Sequence, residues 1–254
     1  MGNGNSVEQE LDLSLIIACY MEEGHLKDSV RQVIDILDTL KVRYELIFVE
    51  DCSRDRTREI IDELSVHYAE KNIKKICHEK NAGRGKTVSD GFRVARGCVV
   101  GYIDIDLEIH ARYIPDFYLA IRNGADVAVA HRIYNFKITS IDRYMMSRGY
   151  NFLLRRLLHI PFTDTEAGYK FFRRDKLLDF IDEIEDPGWF WDSEVMVRAF
   201  LHNCRIVEIP TLFLRRSDKK STVNNIKDTL DYMKRVYRFR RKVLPALRKG
   251  AGAG

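Results

Sequence analysis

Four short runs in the first half of the chain are rich in apolar and β-prone residues: LSLIIAC (13–19), YELIFVE (44–50), IKKICHE (73–79) and CVVGYID (98–104). Between them lie stretches with helical spacing. One covers 24–40 through Val30, Val33, Ile34 and Leu37, a second about 55–70, and a third about 85–95. Near-continuous apolar strands are buried on both faces, and strand–helix–strand alternation sets successive strands parallel. DVAVAH (126–131) adds a fifth strand. The expected fold is therefore α/β, a Rossmann-like, doubly wound, mostly parallel sheet with flanking helices. Its ligands belong beyond the carboxyl ends of the strands.

The second half is less regular. A helix is expected over about 140–159 and another from near Trp191. A last helix, over about 224–244, carries Ile226, Leu230, Met233, Tyr237 and Leu244 at helical spacing with basic residues between them. The expected organisation is a tail (1–12), one domain (13–223), a basic amphipathic helix (224–247) and a second tail (248–254).

At 254 residues, 45% hydrophobic and 31% charged, the chain can build a substantial core. No apolar run approaches the roughly 20 residues of a membrane span. LSLIIACY is too short, and lacks the basic leader, to read as a signal peptide. MGNGNS fits the M-G-x-x-x-S lipidation pattern but reads as a flexible tail. The five cysteines are scattered, with no CxxC pair, which argues against a disulfide framework or zinc site and for a reducing compartment. Net charge is only +4, yet from Val223 onward nine basic residues face two acidic ones. Such an end suits an anionic surface, lipid headgroups or nucleic acid; a solvated helix face accounts for it equally well.

Polar residues gather directly after the strands. YMEE, with Tyr20 and Glu22, follows the first; EDCSRDRT (50–57) the second; NAGRGKT (81–87) the third; and DIDLE (104–108) the fourth. Asp51, Ser53 and Asp55 are also ordinary helix-capping residue types. Four such clusters on one edge make a candidate binding site. In an extended chain residues i and i+2 share a face. Asp104 and Asp106 would then point together, with Ile105 turned away and Glu108 following if the chain stays extended. Carboxylates so placed suit a hard cation, Mg²⁺ or Mn²⁺, which could neutralise a diphosphate leaving group. The same acids would also suit a helix start. The GKT of 85–87 lacks the P-loop glycine five residues before Gly85, where Lys80 stands, so nucleotide hydrolysis is only a weak rival.

Taken together these motifs resemble the inverting glycosyltransferases of family 2, with the GT-A fold, in the branch of dolichyl-phosphate mannose and glucose synthases. The resemblance runs from about Leu13 to Val223. IIACYME stands for V-P-x-Y-N-E, with Ala18 for the proline, Met21 for the asparagine, and Tyr20 and Glu22 kept. EDCSRDRT is similar to D-D-x-S-x-D-x-T, with Glu50 for the first aspartate. NAGRG matches N-x-G-[KR]-G, DIDLE the DxD element with Glu108 where glutamine is frequent, and AHR the G-S-R element. DTEAGYKFFRR matches D-x-x-x-G-[FY]-[KR], WFWDSEVMVRA the F-D-x-E helix start, and RSDKKST the R-x-x-G-x-S-K element. In the last, Lys220 and Thr222 replace the usual residues, and Lys219 or Lys220 could substitute in gripping the far phosphate.

What the resemblance implies is transfer of a hexose, with inversion, from a nucleoside diphosphate sugar of the GDP-mannose or UDP-glucose type. The nucleotide and substrate contacts it implies are Ala18, Tyr20, Glu22, Val49, Asp51, Arg84, Asp104, Ile105, Arg132, Asp164 and Ser221. The metal, Mg²⁺ or Mn²⁺, would lie on Asp104, Asp106 and Glu108. Arg216 would stabilise the leaving group, and Asp192 or Glu194 would be the base if the acceptor is a hydroxyl. Elementary chemistry offers the simpler alternatives: long arginines are usually solvated, Asp192 and Glu194 favour a helix N-terminus, Asp164 could cap, and Trp189 and Trp191 are packing aromatics. Arg143, Ser147 and Asn151 share one helical face, as a polar site or a solvated surface.

A lipid phosphate monoester, mostly dianionic at neutral pH, needs no base. The basic final helix then favours a polyprenyl phosphate acceptor, with the protein peripheral at the cytoplasmic face of the membrane. A sugar or polysaccharide hydroxyl is the alternative acceptor. A nucleotide-binding protein without catalysis, or a nucleic-acid binder, is the remote alternative; no nucleic acid is expected as partner.

Overall fold

The computed structural model describes residues 11–134, 156–158, 160–215 and 227–250. Its strands are β1 (Leu13–Cys19), β2 (Tyr44–Glu50), β3 (Ile73–Cys77), β4 (Val99–Ile103), β5 (Val127–Tyr134), β6 (Tyr169–Arg173) and β7 (Ile206–Phe213). Its helices are α1 (Leu26–Leu40), α2 (Thr57–His67), α3 (Arg84–Val94), α4 (Ile114–Arg122), α5 (Arg174–Leu178), α6 (Trp191–Leu201) and α7 (Lys227–Gly250).

The strands form one seven-stranded sheet in the order β3-β2-β1-β4-β6-β5-β7. All neighbours are parallel except β6, which runs antiparallel to β4 and β5. The five expected strands and the first three helices are present, with helix ends within three residues of the expected ones. α1 shows why: Leu26, Val30, Val33, Ile34 and Leu37 recur every three or four residues and are all buried. Burying one such side chain contributes about 1.5–3 kcal/mol. The helix stops at Lys41, which takes a left-handed conformation (φ 54°).

Two apolar layers sandwich the sheet. One joins β1, β2 and β4 to α1, α2 and α4; the other joins the opposite strand faces to α3, α6 and α7. β6 and β7 are not evident from sequence patterning. Lys170, wholly buried, breaks the apolar pattern of β6, and Pro210 interrupts β7. Pro210 is tolerated because β7 is an edge strand.

α7 extends the fold differently from expectation. Val236, Phe239 and Val243 are buried in the second layer, with Phe239 set edge-on to Phe190 at 5.3 Å. The expected apolar stripe is a neighbouring face. On it Tyr237 is exposed and Met233 half-buried, while Ile226 lies outside the described residues. The helix therefore uses one apolar face to hold the domain and turns Arg238 and Arg241 outward. Arg235 pairs with Asp186 at 2.7 Å and Lys242 with Glu185 at 2.5 Å. The helix expected over 140–159, with Arg143, Ser147 and Asn151, lies outside the described residues except for 156–158, which are helical. The two tails lie outside them save for 11–12 and 248–250.

Candidate active site

Three non-glycine residues beyond the carboxyl ends of the parallel strands have left-handed backbones: Met21 after β1 (φ 60°), Cys52 after β2 (φ 59°) and Leu107 after β4 (φ 52°). Such backbones are uncommon and concentrate at functional edges. They turn each loop sharply, so that the polar clusters stay at the sheet edge.

The first two loops are stitched together. Met21 N donates to Ser53 Oγ (3.1 Å), Glu22 N to Thr57 Oγ1 (2.8 Å) and Arg56 N to the Glu23 carboxylate (3.0 Å). Asp55 accepts from Thr57 N at 3.0 Å, a local turn just ahead of α2, whose N-cap is Arg56. Glu50 accepts from Ser53 N, and Glu22 pairs with His25 at 2.6 Å. Ala18 and Val49 lie side by side in the β1–β2 register, and Tyr20 is exposed at the edge.

Asp51 is buried and heavily engaged. Its Oδ1 meets Ala82 N and His78 Nδ1, both at 2.7 Å, and its Oδ2 accepts from Gly83 N at 3.0 Å. This carboxylate anchors the loop that leads into α3. Gly83 itself needs φ 93°, and a side chain there would strike Pro187 O. With two acceptor positions per oxygen, Oδ2 keeps one position for a ligand.

A cleft opens beside this edge, offering about 150 Å³ and lined chiefly by Arg84, Asp104, Asp106, Glu108, Arg132 and Glu166. Asp104, Asp106 and Glu108 do not continue as a strand. Leu107 N donates back to Asp104 O (3.2 Å), closing a turn, and Glu108 N donates to Asp106 Oδ1 (3.3 Å). The turn, rather than extended alternation, brings the three carboxylates to one cleft, while Ile105 packs into the core. Burial pushes the Asp104 pKa up to about 6, opposed by Arg84 and reinforced by Asp106 and Asp192. Gly168 lies against Asp104, and any side chain there would overlap the Asp104 carboxylate and the Arg84 guanidinium.

Among the described residues no three acids or imidazoles already converge as a metal cage. The donor chemistry nevertheless fits a hard divalent cation. Asp104, Asp106 and Glu108 line one open cleft, and Mg²⁺ commonly takes only one or two carboxylates beside substrate phosphates.

Arg84 links the cleft to the interior. It pairs with Asp104 on one side and donates from Nε to Asp192 Oδ2 at 3.2 Å on the other, while stacking near Tyr102 and Trp189. Asp192 is buried, and its Oδ1 accepts from Lys170 Nζ (2.6 Å) and from the Tyr102 hydroxyl. Burial alone would raise its pKa, but Lys170 and Arg84 overcome that and hold it below the usual carboxylate range. Glu194 is elsewhere: it is buried and accepts from Glu185 N (3.2 Å) and Asp186 N (2.9 Å), so it organises that loop and is not part of the cleft lining.

Arg132 and Asp164 form a two-pronged pair, Nε to Oδ2 at 2.6 Å and Nη2 to Oδ1 at 2.8 Å, with the guanidinium near the Phe213 ring. Arg132 reaches the cleft, and Asp164 orients it from behind. Arg216, Ser221, Lys219, Lys220 and Thr222 lie outside the described residues. Trp191 is core, as its aromatic character allows, but Trp189 is exposed on the cleft wall.

Sequence reasoning missed Lys170, Tyr102 and Glu166. Tyr102 reads as part of a strand and Lys170 as one position of the DTEAGYKFFRR motif, and their polar ends acquire meaning only through Asp192. Glu166 lies inside the quoted DTEAGYK segment, but no spacing rule distinguishes it from the acids beside it.

The sequence profile of glycosyl transferase family 2 matches residues 14–180. The chain is 29% identical over 233 residues to the glycosyltransferase AglD of Haloferax volcanii, covering 90% of this chain and 37% of that protein. It is 28% identical over 236 residues to the dolichol-phosphate mannosyltransferase of Pyrococcus furiosus, covering 90% and 64%. It thus spans less than two thirds of either relative. Among solved structures it resembles glucosyl-3-phosphoglycerate synthase of Mycobacterium tuberculosis, a complex with Mn²⁺, UDP and glucosyl-3-phosphoglycerate. The TM-score is 0.62 at 17% identity, over 96% of this chain and 81% of that one. It also resembles residues 1–349 of S. aureus TarS, with a TM-score of 0.55 at 20% identity, over 89% and 64%. The sheet and its flanking helices are those of the GT-A fold.

Proposed function

Because this chain belongs to glycosyl transferase family 2 and is a glycosyltransferase, we propose that it moves a hexose, with inversion, from a nucleoside diphosphate sugar to a polyprenyl phosphate. The observation that carries this reading is the cleft at the carboxyl edge, where four carboxylates (Asp104, Asp106, Glu108 and Glu166) and two arginines face one space. A divalent cation held by Asp104, Asp106 and Glu108 would supply charge neutralisation at the diphosphate.

The residues divide the remaining work. Glu22, Asp51, Tyr20, Ala18 and Val49 seat the nucleoside along the β1–β2 edge, with Ile105 holding the neighbouring turn. Arg84 and Arg132 place fixed positive charge where the leaving group gains negative charge; a well-placed donor of this kind is worth about 3–4 kcal/mol. Arg216 and Ser221 are proposed to meet the far phosphate. Asp192 acts as a positioning residue for Arg84. Its lowered pKa and its burial behind that side chain make it a poor proton acceptor. Glu194 has no part in proton transfer on this account.

An acceptor already carrying its nucleophilic charge fits a site without a dedicated base at Asp192 or Glu194. The second pKa of a phosphate monoester is about 6, so its attacking oxygen needs positioning rather than deprotonation. Similarity to a dolichol-phosphate mannosyltransferase supports the same acceptor. No helix among the described residues is long and apolar enough to cross a membrane. We assign the lipid-facing role to α7, whose exposed Arg238, Arg241 and Tyr237 suit anionic headgroups and the interface at a cytoplasmic membrane face. The domain would then be 13–223, with 224–247 as its surface-seeking extension.

The test is transfer from UDP-glucose and GDP-mannose to polyprenyl phosphate in detergent, with Mn²⁺ and with chelator. Transfer to the lipid that stops in chelator is expected. Transfer only to free sugars, or transfer unaffected by chelator, refutes the acceptor or the metal assignment respectively.

A further inference from the structure

The carboxylates around the cleft differ in how their oxygens are used. Asp104 is paired with Arg84. Asp106 accepts from Glu108 N, Asp164 is committed to Arg132, and Asp192 is shared by Arg84, Lys170 and Tyr102. Glu166 stands apart. It lines the cleft, and among the described residues its carboxylate has no hydrogen bond or ion pair. Its backbone is fixed, since its N–H donates to Asp164 Oδ1 at 3.2 Å. A half-buried carboxylate with no protein partner keeps its acceptor positions for a ligand that brings donors.

Its position narrows the ligand. Asp104 N donates to Gly168 O at 2.9 Å, so the 166–168 segment runs directly alongside the proposed diphosphate end. Two residues of chain span at most about 7 Å, which keeps the Glu166 backbone within about one hexose length of that end. A carboxylate repels phosphate but accepts hydrogen bonds from hydroxyls. The neighbouring Arg132 guanidinium keeps donors beyond those given to Asp164. An acceptor beside a donor is the arrangement that reads adjacent sugar hydroxyls.

We propose that Glu166 recognises the transferred sugar, its carboxylate accepting hydrogen bonds from the hexose hydroxyls of the donor. This rests on the glycosyltransferase reading and deepens it. Burial pushes the free Glu166 pKa up to about 7, with Arg132 working against that and Asp164 and Asp192 adding to it. A group so poised gains from hydroxyl donors that stabilise its charged form.

The experiment measures dissociation constants of the full chain, Glu166→Ala and Glu166→Gln for UDP, GDP, UDP-glucose and GDP-mannose, with Mn²⁺, by calorimetry. Glu166→Ala is expected to weaken the preferred sugar nucleotide about tenfold to a hundredfold. The matching nucleoside diphosphate should bind unchanged, and Glu166→Gln, which keeps an acceptor oxygen, should fall between. Both variants are expected to stay folded, with melting temperatures at or above that of the unsubstituted chain, since the carboxylate holds no part of the fold and its burial is unfavourable. Sugar-nucleotide affinity unaffected in both variants overturns the proposal, as does equal weakening of nucleotide and sugar nucleotide. A fall in kcat with donor affinity intact overturns it in favour of a proton-accepting role toward the acceptor. Failure of the unsubstituted chain to bind either nucleoside diphosphate sinks the functional reading itself, and this assignment with it.

Discussion

The loops that follow β2 and β4 look alike in sequence, each a polar, acid-rich turn at the same sheet edge, yet they are built to opposite ends. After β2, Asp51 spends its oxygens on Ala82 N, Gly83 N and His78, and Glu50 holds Ser53 N. After β4, the Asp104 carboxylate is met by the Arg84 side chain, and the Asp104 and Asp106 carboxylates line open space. Backbone partners fix an acid in place as part of the fold. Side-chain partners leave it exchangeable, and an exchangeable acid is what a cation and a diphosphate require.

The sharpest way to break this contrast is to remove an acid from each loop. Asp106→Ala should lower metal-dependent transfer about 10²–10³-fold while shifting unfolding by no more than about 0.5 kcal/mol; steady-state rates and urea titration read the two effects. Asp51→Ala should do the reverse first, costing about 2–3 kcal/mol of stability because buried N–H groups of the 82–83 loop lose a charged acceptor. A stable Asp51→Ala protein with no transfer would show that this loop, too, is purely functional.

Glu194→Gln extends the comparison to α6. It should cost about 1 kcal/mol, since an amide oxygen still accepts from Glu185 N or Asp186 N, and leave transfer to lipid phosphate near its starting rate. A collapse of transfer would restore a catalytic role to Glu194 and favour a hydroxyl acceptor.

A further effect is a pH slope. Glu166 titrates near 7 when folded, against a model-compound value of 4.5. The folded chain therefore binds more protons than the unfolded one between those values, and this group's contribution lowers stability as pH rises through that window. Unfolding free energy of Glu166→Gln, measured from pH 4.5 to 7.5, should decline less with rising pH than that of the unsubstituted chain. Parallel curves would show that Glu166 has an ordinary pKa.

Much of the fold was legible in the residue order. LSLIIAC, YELIFVE and CVVGYID announce buried strands because their apolar side chains must be covered on both faces. Val30, Val33 and Leu37 announce α1 because only a helix puts them on one face. β6 was not legible: Lys170 looks like a solvent-facing residue, and its burial is tolerable only beside Asp192. The cleft was legible as a place, since the acid clusters must follow the strands. The reasons for its shape were not. The DIDLE carboxylates converge through a left-handed Leu107 and a turn, where an extended chain was expected. Likewise α7 buries Val236 and Phe239, which helical spacing alone could not rank above Met233 and Tyr237.

What the sequence by itself determined is the alternation of strand and helix and the edge on which the polar loops gather, because periodicity within about 15 residues dictates which side chains need cover. Which acids remain available for chemistry was decided only by tertiary structure. Asp192 meets Arg84 across 108 residues of chain and Tyr102 across 90, Asp51 meets its loop across 31, and Glu166, among the described residues, is left over in the cleft. An ionised group in a folded interior takes its role from the charges and N–H groups that long-range packing brings within about 3 Å, and no local pattern encodes that company.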